Sequence, residues 1–311
     1  MLFKYINCTF ISIWLLRYFT EDLRFSATYN YIHLSEIDKE LSYLSIQSKN
    51  SELKNCIHNT ILSNPHEISV PEIYDSHVYK NVKTGGEYWP LDCNSEFSVA
   101  IIVPFRNREE QLKIFVNYFH QFLQQQKLHY RIYIVEQNDN KPFNRAKMFN
   151  IGVYEANRNK FPCVILTDVD LIPINNANLY ACTKQPRHMS TNIDVHRFHL
   201  MYRGLFGGST AILTEQFLSV NGMSNEFHGW GGEDDDFYAR LTHNGYVTCR
   251  YDPKISAYIM LKHKKETPSP DRYEVLRTGL QRFRQDGINN LDNFYRNVTL
   301  KPLYTLISVY N

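Results

Sequence analysis

The amino-acid sequence predicts an α/β protein built on a single doubly wound, mainly parallel sheet with flanking helices. Three observations carry that reading. Phe97 to Val103 (FSVAIIV) is an unbroken, largely β-branched run ended by Pro104, the pattern of a strand buried on both faces. Apolar runs then alternate with amphipathic stretches as strand, helix, strand, helix, strand. Finally, polar clusters fall at the carboxyl end of each predicted strand, where open α/β sheets bind ligands.

The elements follow in order. Glu109 to Gln125 places Leu112, Phe115, Phe119, Phe122 and Leu123 at helical spacing. Tyr130 to Val135 is a second strand, and Ala146 to Ala156, with Met148, Ile151, Gly152 and Tyr154, a second helix. Cys163 to Thr167 is a third strand that runs directly into Asp168-Val169-Asp170. Pro104 to Arg108, Glu136 to Arg145 and Asp168 to Asp170 therefore converge on one edge of the sheet. No internal repeat is evident.

Residues upstream differ in character. Ile6 to Phe19 is largely apolar, preceded by Lys4 and interrupted by Arg17. A full membrane span needs about twenty apolar residues, so this is a short candidate. No small-residue cleavage site follows it. Residues 1–20 thus read as a short cytoplasmic tail and uncleaved signal-anchor, with the remainder lumenal. A buried N-terminal helix or strand is the alternative, because Arg17 is costly in lipid. Residues 21–85 are polar and rich in Ser and Asn, with a short helical pattern from Ile37 to Ile46, and read as a stem and lead-in segment. Residues 86–311 form the folded domain.

Composition narrows the function classes. A chain of 311 residues suits one large α/β domain or two lobes sharing a cleft. Hydrophobic residues at 43% and charged residues at 21% support a well-packed core. A net charge of +2 without a basic stripe argues against a nucleic-acid partner; Lys262 to Lys265 is only a local run. The aromatic content of 14% suits sugar-stacking platforms, although aromatics also simply fill cores. None of the six cysteines forms a Cys-x-x-Cys pair, which argues against structural zinc and thioredoxin chemistry. A lumenal location would permit disulfides. Asn297-Val298-Thr299 is a glycosylation sequon, as is Asn7-Cys8-Thr9 inside the anchor candidate.

Three constellations can carry chemistry. In Asp168-Val169-Asp170, strand alternation sends the two carboxylates to opposite sides of the backbone. One can hold a divalent cation that neutralises a pyrophosphate while the other meets a sugar; a bare D-x-D is also a common loop or cap. Gly229-Trp230-Gly231-Gly232 precedes four consecutive acids, Glu233 to Asp236, and a helical stretch from Phe237 to Leu241. Acids at a helix start complement its dipole. They also suit a general base beside a sugar hydroxyl, with Trp230 stacked on the ring. Met260 and His263 lie three apart; alone, they read as core and surface residues, since a thioether suits soft metals. Arg106, Arg108 and Arg145 at strand ends fit phosphate oxygens, and Phe143 fits a base. Gly207-Gly208 marks a close backbone approach to a ligand, or a turn.

Seven collinear motifs carry a resemblance. VPFRNRE (Val103 to Glu109), FNRAK (Phe143 to Lys147), TDVDLIP (Thr167 to Pro173), QPRH (Gln185 to His188), FGG (Phe206 to Gly208), GWGGEDDD (Gly229 to Asp236) and MLKH (Met260 to His263) occur in that order. From Tyr88 to Val309 the chain resembles the β-1,4-galactosyltransferase family, glycosyltransferase family 7. The resemblance implies a GT-A fold with mobile loops, a type II Golgi membrane protein and an inverting, Mn2+-dependent mechanism. It implies Asp170, Met260 and His263 as manganese ligands and Asp234 as catalytic base, with Glu233 beside it. Glu233 and Asp168 would contact the donor sugar. Pro104, Phe105, Arg106, Arg108, Phe143, Arg145, Val169 and Trp230 would complete the UDP-sugar site. Tyr202, Gly232, Asp235, Arg272, Tyr273 and Leu276 would hold the acceptor, with Trp230 reaching it too. Trp230 and the region from about Leu261 to Gln281 would move on donor binding. Cys163 would pair with Cys182, and Cys56 with Cys93.

One departure points to the donor. Galactose-specific vertebrate members carry Tyr before FGG, where its hydroxyl crowds the donor C2 substituent; this chain has Leu205. An aliphatic residue there implies UDP-N-acetylgalactosamine, as in the invertebrate β-1,4-N-acetylgalactosaminyltransferase branch. UDP-galactose is the alternative. The implied acceptor is a terminal β-linked N-acetylglucosamine on a glycoprotein or glycolipid. GWGGEDDD fits that acceptor better than the GWGREDDE-like form of the xylose-directed branch.

Overall fold

A computed structural model of the chain describes residues 31–70, 79–264, 266–291 and 295–310. The anchor candidate and the Asn7 sequon lie outside the described residues. Among those described, no helix is long and apolar enough to cross a membrane.

The main sheet is parallel at its centre and antiparallel at both margins. Its first strands are β1 (Glu87–Tyr88), β2 (Ser98–Phe105), β3 (His129–Gln137) and β4 (Cys163–Thr167). A second small sheet uses β5 (Leu171–Pro173), β7 (Asn192–Ile193) and β9 (Ala257–Met260). Here β6 is Arg187–His188, β8 Ser209–Leu213, β10 Tyr295–Leu300 and β11 Thr305–Tyr310. The main order is β10-β11-β3-β2-β4-β8-β6, with β1 against the start of β3. Strands β11, β3, β2 and β4 run parallel, whereas β10, β8 and β6 pair antiparallel.

Strand β2 explains the unbroken apolar run. Val99, Ile101 and Val103 join one core cluster and Ala100 and Ile102 the other, so both faces are buried. The first cluster is roofed by α1 (Glu109–Gln125) through Phe115, Phe119, Phe122 and Leu123. Each such ring contributes roughly 2–3 kcal/mol of burial. The second is roofed by α2 (Arg145–Arg158) through Met148, Phe149 and Ile151. Pro104 does not end β2, which continues to Phe105. Past Ile102 the strand has lost its β4 partner, so a residue without an N–H is tolerated.

The helical pattern from Ile37 to Ile46 is only half realised. Helix covers Ile37–Glu40, after which the Leu44 carbonyl accepts from the Ser98 N–H and ties the chain to β2. Ile37 and Leu41 are buried in the first core cluster. Both implied disulfides, Cys56–Cys93 and Cys163–Cys182, are formed, and Cys249 is a free cysteine.

Candidate active site

The second sheet assembles the first part of the site. β9 pairs antiparallel with β5, setting Met260 opposite Leu171, and the Leu261 N–H donates to the Asp170 carbonyl at 2.8 Å. This register carries the chain on to His263, whose Nδ1 lies 2.9 Å from Asp170 Oδ2. Burial, with Asp168 next to it, pushes the Asp170 carboxyl up to about 6. Asp194 Oδ1 accepts from the Met260 N–H at 2.9 Å, a support that no local signal in the sequence announced.

The second part rests on Arg145 at the start of α2. Its Nε donates to Asp168 Oδ1 at 2.6 Å and its Nη1 to Glu233 Oε1 at 3.3 Å. Burial opposes the guanidinium charge, but Asp168 and Glu233 hold it protonated more firmly than usual. One cation thus joins both acidic motifs. The other Glu233 oxygen is buried without a partner.

Helix α3 (Glu233–His243) begins with the acidic run, with Gly232 at its N-cap in a left-handed conformation at φ 94°. Asp234 packs directly against Gly207, where a Cβ would overlap its carboxylate. Burial, then the charges of Glu233 and Asp235, push the Asp234 carboxyl up to about 7. Gly207 is itself held: its carbonyl accepts from the buried His188 ring at 3.0 Å and from Ser190 Oγ at 3.3 Å. The Asp235 carboxylate accepts from the Tyr202 hydroxyl at 2.8 Å. Leu205 is half-buried between Tyr202 and Gly207, its carbonyl fixed by Arg250 at 3.0 Å.

An open cleft of about 450 Å³ lies beyond, lined by Arg106, Arg108, Lys141, Pro142 and Glu266 among others. Arg106 stacks over Phe143 at 5.1 Å, and Arg108 donates to the Lys264 carbonyl at 2.8 Å. Helix α4 (Arg272–Arg282) packs on α3, with Gly279 against the Asp236 carboxylate. Arg272 stacks on Tyr273 at 4.3 Å and packs against Gly231, and the adjoining Trp230 is 58% exposed and bridges to Pro268. Leu276 is half-buried on the same helix. The side chains of Phe105 and Val169 are buried in the first core cluster. Pro104 is buried too. Asn297 is exposed on β10 at the far margin of the sheet.

Among the described residues no three His, Cys, Asp or Glu side chains converge as a metal cluster. The Asp170 and His263 pair, with Met260 in the adjoining strand, is the candidate metal position.

Comparison with known proteins decides the family. A profile described as "N-terminal region of glycosyl transferase group 7" matches residues 49–183, and one described as "N-terminal domain of galactosyltransferase" matches residues 187–264. Beta-1,4-galactosyltransferase 1 of Mus musculus is 44% identical over 232 residues, which cover 73% of this chain and 58% of the mouse protein. The chain belongs to the β-1,4-galactosyltransferase family, glycosyltransferase family 7. Beta-1,4-galactosyltransferase 5 of Homo sapiens is 38% identical over 257 residues, 80% of this chain and 66% of that protein. Among solved structures, the catalytic domain of Drosophila β-1,4-galactosyltransferase 7 with xylobiose matches with a TM-score of 0.58 at 27% identity. That match covers 69% of this chain and 93% of the other. A mutant of the same galactosyltransferase was solved with manganese, UDP-Gal and xylobiose, with a TM-score of 0.57. The chain thus spans 58% of the length of the first curated relatives it matches.

Proposed function

We propose that this chain is an inverting hexosyltransferase that moves N-acetylgalactosamine from UDP-GalNAc to the 4-hydroxyl of a terminal β-N-acetylglucosamine. The observation that carries the reading is Asp234: a carboxylate pressed against Gly207, raised to about 7, and next in sequence to the Arg145-bound Glu233. A base of that strength is matched to neutral pH. Asp234 takes the proton of the acceptor hydroxyl as its oxygen attacks the anomeric carbon, and the bond to UDP breaks on the opposite face. Arg145 holds Asp168 and Glu233 oriented toward the donor. Tyr202 and Asp235 hold the acceptor, with Arg272, Tyr273 and Leu276 as its far wall. Arg106, Arg108 and Phe143 suit the diphosphate and base.

The residues around Asp170 fit a divalent cation such as Mn2+. A buried carboxylate beside a second acid and an imidazole offers ligands to a cation, and carboxylate oxygens suit manganese; Met260 would add a soft ligand. Bound there with Asp170, Met260 and His263, the cation would neutralise pyrophosphate charge.

Donor choice rests on Leu205, two residues ahead of the glycine that cradles Asp234. An aliphatic side chain leaves room for an N-acetyl group. A second reading, UDP-galactose on the same acceptor, is favoured by the galactosyltransferase relatives. Replacing Leu205 with Tyr tests it: preference should move toward UDP-galactose, and an unmoved preference would assign specificity elsewhere. We further place the enzyme in the Golgi membrane with its domain lumenal, residues 86–311 being the catalytic unit. Two disulfides and the exposed Asn297 sequon support an oxidising, glycosylating compartment.

A further inference from the structure

Behind the reacting groups, α3 and α4 are joined by a buried ion cluster. Arg240 is fully buried. Its Nε donates to Asp236 Oδ2 at 2.7 Å, its Nη1 to the Asp286 carbonyl at 2.8 Å, and its Nη2 lies 3.3 Å from Asp286 Oδ2. Arg282, the last residue of α4, adds its Nε to Asp286 Oδ2 at 3.0 Å, and Asp286 Oδ1 accepts from the Asn225 N–H at 2.7 Å. Helix α4 rests so closely on α3 that a Cβ at Gly279 would overlap the Asp236 carboxylate. Such a cluster is an expensive way to gain stability, because well-packed apolar side chains of similar volume serve as well. What two arginines and two aspartates add is a fixed anchor at the C-terminal end of α4, the end from which the rest of the helix extends. At its other end α4 meets the glycine loop, with Arg272 Cδ 3.0 Å from the position of a Cβ on Gly231.

We propose that Arg240, Asp286 and Arg282 are positioning residues that set α4 at its working distance from Asp234 and so fix acceptor affinity. This rests on the reading above, in which α4 carries the acceptor wall. Arg282 is only partly buried, with 22% of its side chain exposed, so substitutions there are compatible with folding. In Arg282→Gln, KM for a GlcNAc-terminated acceptor should rise about tenfold. KM for the UDP-sugar and the melting temperature should stay near wild type, and Arg282→Lys should recover acceptor affinity. Amide exchange across residues 272–282 should quicken in the Gln variant. An unchanged acceptor KM, or losses in both KM values that track the melting temperature, would overturn the proposal. If the unsubstituted chain transfers no sugar to that acceptor, the functional reading fails. Exchange in α4 then decides the brace alone, and unaltered exchange would reject it.

Discussion

Asp234 and Gly207 are in such close contact that no side chain fits on residue 207 without displacing the Asp234 carboxylate. Gly207→Ala should therefore lose on the order of a hundredfold in kcat through misplacement of the carboxylate, with folding retained because residue 207 is only partly buried. Steady-state kinetics beside thermal melting will separate the two effects.

Asp234→Asn should cost at least about a thousandfold in turnover while UDP and Mn2+ binding survive. Titration calorimetry on the variant checks the second half. A variant that keeps full rate would mean another group is the base.

The raised Asp234 carboxyl gives this substitution a pH signature. Activity should climb as pH rises through about 7, where the base loses its proton. In stability the sign is opposite. A carboxyl raised by folding is more easily protonated in the native state, so wild-type stability declines between about pH 4 and 7 as the buried charge forms. Asp234→Asn lacks that decline and should be more stable at pH 8 by something on the order of 1 kcal/mol. Melts at pH 5 and pH 8 measure it.

Much of this could be read before any coordinates. Strand β2 announced itself because both its faces are buried, and α1 matches its apolar spacing from end to end. Arg145 and Asp168 were legible as polar groups at strand ends, Phe143 as a base-stacking candidate, and the glycine-acid run as a helix start. The second sheet was not, because its strands are two to four residues long and find partners far away in sequence. No local pattern brings His263 to Asp170; only the motif resemblance paired them. Leu44, bound to Ser98, shows tertiary pairing overriding a helical pattern.

Removing the metal position should have a distinct effect. His263→Ala should weaken Mn2+ binding about a hundredfold or more, with the melting temperature little changed, because His263 is partly exposed. Manganese titration followed by electron paramagnetic resonance reads this directly.

The Cys163–Cys182 disulfide joins the start of β4 to the loop before β6. Replacing both cysteines with serine should cost about 3 kcal/mol, lowering the melting temperature by roughly 6–12 °C. Differential scanning calorimetry will show it.

The central claim is that this cleft transfers an N-acetylhexosamine with Asp234 as base. The most direct measurement is a competition assay in which the purified chain, with Mn2+ and a GlcNAc-terminated acceptor, receives equimolar UDP-GalNAc and UDP-galactose, run beside Asp234→Asn. The account predicts a predominantly β-1,4-linked N-acetylgalactosamine product that vanishes in the Asn variant. A predominantly galactosylated product, or equal turnover by Asp234→Asn, would contradict it.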